Sequence, residues 1–180
     1  MDDTLIRNAR RILVIGCAGA GKSTLSRSLS TRLGLPYISM DREFFWLPGW
    51  KLRDRTKIKR MITDAVAHDR WIMDGTSPGT LHVRLPRADM VIWLRISRLM
   101  CLWRIVKRRI LYAGKSRPEM TDGCPEKIDL EFLRYIWNFE RTEKPEIIDG
   151  LNKYGVDLPI VVLRNPSEVR ALLARIETEV

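Results

Sequence analysis

Five short apolar runs, several of them β-branched, are spaced along the chain, and between them apolar positions recur every three or four residues. The runs lie at residues 11–15 (RILVI), 37–40 (YISM), 70–73 (RWIM), 90–95 (MVIWLR) and 159–164 (PIVVLR). Apolar runs this short, without polar alternation, predict strands buried on both faces. A Gly-rich turn follows the first. After it Leu25, Leu29 and Leu33 stand four apart, and Gly34 and Pro36 stop that helix. Residues 57–67 also read as helical. Ser97 is placed to cap a helix running to about Tyr112, with Met100, Trp103, Val106 and Ile110 as its buried face. Residues 113–125 hold two Gly and two Pro and read as a loop. A further helix is expected over 126–143, with Ile128, Phe132, Tyr135 and Phe139 on one stripe. The last helix has a start signal: Asn165 as cap, Pro166 at the first helical position, and Glu168 three residues after the cap. Strands alternating with helices predict an α/β fold with a five-stranded parallel sheet covered by helices on both faces.

The turn after the first strand carries the chemistry. Gly16-Cys17-Ala18-Gly19-Ala20-Gly21-Lys22-Ser23 matches the phosphate-loop pattern in full, with a strand before it and a helix after it. Glycines let the backbone fold into a nest whose N–H groups point at phosphate oxygens, and the helix N-terminus adds the positive end of its dipole. Lys22 is expected on the β- and γ-phosphates, Ser23 on Mg²⁺ and Thr24 near the α-phosphate. The loop therefore implies ATP and Mg²⁺ as cofactors and a three-layer P-loop NTPase fold. A second metal group is an acid at a neighbouring strand end. Asp74, closing the third strand, fits that place. Asp41, just after the second strand, is the other candidate, or it orients and deprotonates an acceptor hydroxyl.

At 180 residues the chain is sized for a single domain, at roughly 100–200 residues per domain. Residues 41–70, rich in aromatics at their start, are assigned to the acceptor and 112–126 to a short lid. Three Cys at wide spacing, without a Cys-x-x-Cys pair, exclude a zinc ribbon and a disulfide framework. Arg7, Arg10 and Arg11 precede an apolar stretch that ends at Cys17, yet only four apolar residues come before that Cys. A signal core needs roughly 7–15, so a cytoplasmic location with reduced thiols is expected. Cys17, beside a helix N-terminus, is expected to have a lowered pKa. No membrane partner is expected.

The net charge is +10, and between Met90 and Pro118 there are eight basic residues and no acid. Solvated helix faces account for many such runs. Arg104 and Arg108, however, are four apart on one face, and Lys115 and Arg117 follow in the loop. Arg134, Asn138 and Arg141 share the polar face of the next helix. Together these read as a basic helix–loop–helix that can close over ATP.

The glycine loop, Asp74-Gly75, and Val91-Ile92-Trp93-Leu94 followed by Arg104-Ile105-Val106-Lys107-Arg108-Arg109 resemble adenylate kinases and related small P-loop kinases. That resemblance implies adenine stacking for Arg104, phosphate contact for Arg108, and an adenine-edge contact for the loop at Pro166. A longer set of motifs resembles the FlaR-type DNA topology modulation proteins, which are adenylate-kinase-like. It comprises Phe45-Trp46, Pro48-Gly49-Trp50, Trp71-Ile72-Met73-Asp74-Gly75, Arg84-Leu85-Pro86-Arg87-Ala88-Asp89, Gly123-Cys124-Pro125-Glu126 and the segment from Phe132 to Phe139. The chain departs from adenylate kinases after Asp74-Gly75, where Thr76-Ser77-Pro78-Gly79 replaces the Phe-Pro-Arg that grips AMP. Arg84, Arg87, Arg42 or Arg53 would have to serve an anionic acceptor, and Trp46 and Trp50 would stack on a flat ring or pack as core.

The leading reading is a kinase that moves the γ-phosphoryl of MgATP to a nucleotide, a nucleoside or another small hydroxyl compound. Lys22, Arg108 and Arg134 would stabilise the transferring charge and Asp41 would orient the acceptor. The alternative is a nucleotide-dependent DNA-binding protein that modulates topology. It rests on net charge and the family resemblance, and no recognition motif accompanies it.

Overall fold

The computed structural model describes residues 3–112 and 120–177. Lys115 and Arg117, and the lid positions 113–119, lie outside the described residues. The five strands read from the sequence are the strands of the main sheet: β1 (Arg11–Gly16), β2 (Tyr37–Ser39), β5 (Trp71–Asp74), β6 (Met90–Leu94) and β7 (Ile160–Leu163). All neighbours are parallel, in the order β2-β5-β1-β6-β7. Central β1 is buried along Ile12–Ile15, and Val14 pairs with Asp74 on one side and Ile92 on the other. This register sets Asp74 beside the start of the glycine loop, at the carboxyl end of the sheet.

Helices cover the sheet in two packing groups. In one, α2 (Lys22–Leu33) meets α7 (Pro166–Glu177), which also contacts α1 (Asp3–Asn8). In the other, α3 (Arg55–Val66) meets the short α4 (Leu81–Arg84), which contacts α6 (Leu130–Tyr154), and α6 packs on α5 (Arg98–Leu111). The capping box forms as expected: Glu168 N donates to Asn165 Oδ1 at 2.9 Å, and Glu168 Oε2 accepts from Arg164 N at 2.6 Å. A small antiparallel hairpin, β3 (Trp46–Leu47) with β4 (Lys51–Leu52), follows a π-helical turn at Asp41–Phe45. Its strands are two residues long, too short to leave a period in the sequence.

Two expectations are corrected. The buried face of α5 is not Met100, Trp103, Val106 and Ile110. Cys101 and Ile105 are fully buried, while Trp103 is 59% and Ile110 73% exposed and Val106 is also exposed. The cause is the glycine loop. α5 lies so close to it that a Cβ on Gly19 would sit 2.5 Å from the Cys101 carbonyl oxygen. That contact turns the Cys101–Ile105 line inward and places Arg104 and Arg108 along the cavity described below. The sixth helix spans Leu130–Tyr154, not 126–143. Asp129 starts it by accepting from Phe132 N at 2.9 Å. Pro145 fails to stop it, because beyond the proline Ile147, Gly150 and Leu151 are buried. Gly150 lets Leu81 approach so closely that a Cβ there would meet it at 2.8 Å. Burial outweighs the one helical hydrogen bond a proline removes.

Asp89 fastens the edge of β1. Its Oδ2 accepts from the backbone N–H of Arg10 (2.9 Å) and Arg11 (2.8 Å), and its Oδ1 from the Arg11 guanidinium (2.7 Å). Partial burial alone would raise this carboxyl, but the donors from Arg11 and Arg10 hold it below the usual range. Its contribution is present above the unfolded carboxylate pKa near 3.9 and is lost as pH falls through the lower folded value. Asp89→Asn is expected to cost about 1–2 kcal/mol at neutral pH and to flatten the loss of stability below pH about 4. Urea midpoints at several pH values check this, and an unchanged midpoint at neutral pH would refute it.

Candidate active site

The glycine loop wraps the end of β1. Gly16, Gly19 and Gly21 have φ of 146°, 78° and 99°, a backbone that side chains strain to adopt. Lys22 Nζ donates to the Gly16 carbonyl at 2.9 Å and to Cys17 at 3.0 Å, so its ammonium folds back over the nest. Thr76 Oγ1 clamps the loop from the neighbouring strand end, accepting from Gly16 N at 3.0 Å and donating to Gly16 O at 2.6 Å. Arg104 Nη1 donates to Ala20 O at 2.9 Å, which sets its guanidinium against the phosphate loop.

A cavity of about 840 Å³ opens over this loop. Ala18, Gly19, Gly21, Lys22, Ser23 and Thr24 form its floor, and Asp41, Asp74, Arg104 and Arg108 stand in its wall. Most of the site residues expected from the sequence are therefore brought together. Gly16 and Ala20 belong to the loop without lining the cavity. Pro166, at the start of α7, does not line it either. Arg134 is exposed and outside it, because α6 presents Phe132 and Tyr135 inward instead.

Asp74 is 4% exposed at the cavity floor. Burial pushes its carboxyl up, against the hydrogen bond from Ser23, the charge of Lys22 and the hydrogen bond from Tyr37, and the nearby Asp41 adds to the rise. Tyr37 Oη donates to Asp74 Oδ2 at 3.1 Å, and burial, then the Asp74 charge, push the phenol up. A hydroxyl and a carboxylate meeting beside a lysine form the hard-oxygen pair that suits Mg²⁺ with phosphate and water as further ligands. Among the described residues no cluster of three or more His, Cys, Asp or Glu could hold a metal ion alone. The pair Ser23 and Asp74 thus fits a cation that arrives with its phosphates. Cys17 departs from expectation: its thiol is raised, because it hydrogen-bonds Cys101 and is buried, with Lys22 pulling only weakly the other way.

Sequence reading missed Glu126, Phe132 and Tyr135 as wall residues, whereas Trp46 and Trp50 were expected to stack on a flat ring or to pack as core. Glu126 is nearly buried and holds Arg108, with Nη2 at 2.6 Å and Nε at 2.8 Å from Oε1. Trp46, Trp50, Phe132 and Tyr135 supply aromatic surface. The far wall is joined to the end of the lid segment. Thr121 Oγ1 donates to Trp46 O at 2.8 Å, Cys124 Sγ to Leu47 O at 3.3 Å, Gly49 N to Gly123 O at 2.9 Å and Trp50 Nε1 to Pro125 O at 3.0 Å.

A family model described as an AAA domain matches residues 12–123, from β1 through the lid segment. The chain belongs to this AAA-domain family. The chain is 27% identical over 136 residues to a shikimate kinase of Paramagnetospirillum magneticum, across 68% of the chain and 67% of that protein. A bifunctional pantoate ligase/cytidylate kinase of Trichormus variabilis is 45% identical over 51 residues, 26% of the chain and only 10% of that protein. Among solved structures, shikimate kinase from Acinetobacter baumannii in complex with shikimate shares the fold, with a TM-score of 0.58 at 17% identity, across 97% of this chain and 94% of that one. Among the described residues no helix of this AAA domain is long and apolar enough to cross a membrane.

Proposed function

We propose that the protein is a small-molecule kinase that transfers the γ-phosphoryl of MgATP to a hydroxyl acceptor. The observation that carries this reading is the shape of one cavity. It is lined by the phosphate loop with Lys22 and also by the carboxylate of Asp41 and a set of aromatic rings. The kinases named above support it as relatives. Loop N–H groups and Lys22 would hold the triphosphate, and Ser23 and Asp74 would hold Mg²⁺. When bound, Mg²⁺ would neutralise negative charge on the phosphates. Arg108, oriented by Glu126, would stabilise charge on the moving phosphoryl group. Asp41 would orient the acceptor hydroxyl and take its proton as the oxygen attacks. No observation in the described residues favours the DNA-binding reading.

The test is transfer from γ-labelled MgATP across nucleosides, nucleoside monophosphates and small alcohols, with Lys22→Ala as control. Labelled product that disappears in the variant is expected. Tight MgATP binding with no labelled product from any acceptor would overturn the reading.

A further inference from the structure

Resting on the kinase reading above, we propose that the acceptor is an uncharged flat-ring hydroxyl compound, of the nucleoside class, and that anionic acceptors are disfavoured. The arginines expected to grip an anion are committed elsewhere. Arg84 is fully buried, and its guanidinium donates to the carbonyls of Gly75 (2.7 Å), Thr76 and Ser77 (3.0 Å). Arg53 Nε donates to Phe44 O at 3.0 Å. Arg87 donates to Val66 O at 3.2 Å and Ala67 O at 3.3 Å. Arg42 is exposed beside Glu43, and none of these four lines the cavity.

The cations that do line it belong to its other parts. Lys22 and Arg104 sit on the phosphate loop, and Arg108 is held by Glu126. Lys127 pairs with Asp129 at 3.1 Å. Arg27 stands one turn beyond Ser23 on α2 and is not free. Outside these pairs, Asp41 and Glu131 line the same cavity as carboxylates. A carboxylate or phosphate on the acceptor would meet like charge there without a dedicated partner among the described residues.

The wall offers rings instead. Trp46 and Trp50 meet edge to face, with centroids 5.2 Å apart at 73°. Phe132 and Tyr135 lie nearly parallel, 6.4 Å apart at 9°, on α6. All four line the cavity and keep part of their surface exposed, so a ligand ring can cover it. Trp50 is held in a left-handed backbone (φ 60°) with its indole N–H on Pro125 O. A bulky residue fixed in that conformation is strain retained at a positioned ring. Stacking on an aromatic side chain favours a flat ring of any sequence-neutral kind, and the hydroxyl beside it would face Asp41.

The test uses γ-labelled MgATP with adenosine, guanosine, cytidine and thymidine, with their 5′-monophosphates, and with shikimate. One nucleoside is expected to be labelled with kcat/KM at least 100-fold above its own monophosphate and above shikimate. Trp46→Ala is expected to raise the KM of that nucleoside at least tenfold and leave the KM of MgATP within twofold, and Trp46→Phe to recover most of the loss. A best acceptor that is an anion overturns the inference and leaves the kinase reading standing. No labelled product from any member of the panel overturns the inference, and the kinase reading falls with it only if the small alcohols also stay unlabelled while MgATP binds.

Discussion

Replacing Lys22 by Ala will remove phosphoryl transfer while leaving the fold in place. The expected fall in kcat is about a thousand-fold, which corresponds to roughly 4 kcal/mol of transition-state stabilisation. Among the described residues its ammonium donates to two loop carbonyls, of Gly16 and Cys17, so it adds little to the core. Its position over the nest is where negative charge accumulates on the transferring group. A thermal midpoint within a few degrees of the parent, together with lost transfer, would separate catalysis from folding. A variant that retained a tenth of the parent kcat would remove Lys22 from the chemistry.

Arg84 sets the second prediction, and here stability falls. Arg84→Leu keeps the bulk and deletes the donors to Gly75, Thr76 and Ser77. Each buried carbonyl left without a donor costs about 1–3 kcal/mol, so roughly 3–9 kcal/mol is expected for the three together. A domain of this kind has about 5–15 kcal/mol in hand, so the variant is near unfolding. Arg84→Lys is expected to recover only part, because an ammonium lacks the planar fork that reaches several carbonyls at once. Burial lowers the Arg84 pKa to about 9, so the guanidinium is still charged at neutral pH, where the denaturant midpoints are to be compared. A loss below about 1 kcal/mol would show that the Gly75–Ser77 segment holds its shape without this residue.

The strands and the phosphate loop were legible because each is local. Five β-branched apolar runs cannot be read with another period, and the glycine-loop spacing names its own chemistry. Asn165 and Glu168 were legible for the same reason, since a capping box closes within one turn. What escaped was decided by contacts far along the chain. Arg84 reads as a partner for an anionic acceptor until the carbonyls of residues 75–77 are folded around it. The face of α5 was misread because Trp103, Val106 and Ile110 carry the apolar signal, whereas Gly19 dictates which side can approach. The sixth helix was ended at residue 143 because the burial of Ile147 and Leu151 beyond it is invisible to propensity. Asp41 and Asp74 were found singly, yet the aromatic rings that line the cavity with them come from elements 80 residues and more apart, Trp46 and Phe132 among them.

One short segment touches both halves of the cavity: Thr121, Gly123, Cys124 and Pro125 bind the hairpin, and Glu126 holds Arg108. Two ligands that each bias such a shared element cannot bind independently. Whatever factor MgATP adds to acceptor affinity, the acceptor must add to MgATP affinity, by thermodynamic reciprocity. In a cell this coupling would act as thrift: with no acceptor present, the nucleotide would meet water in an incomplete site, and futile hydrolysis would stay slow.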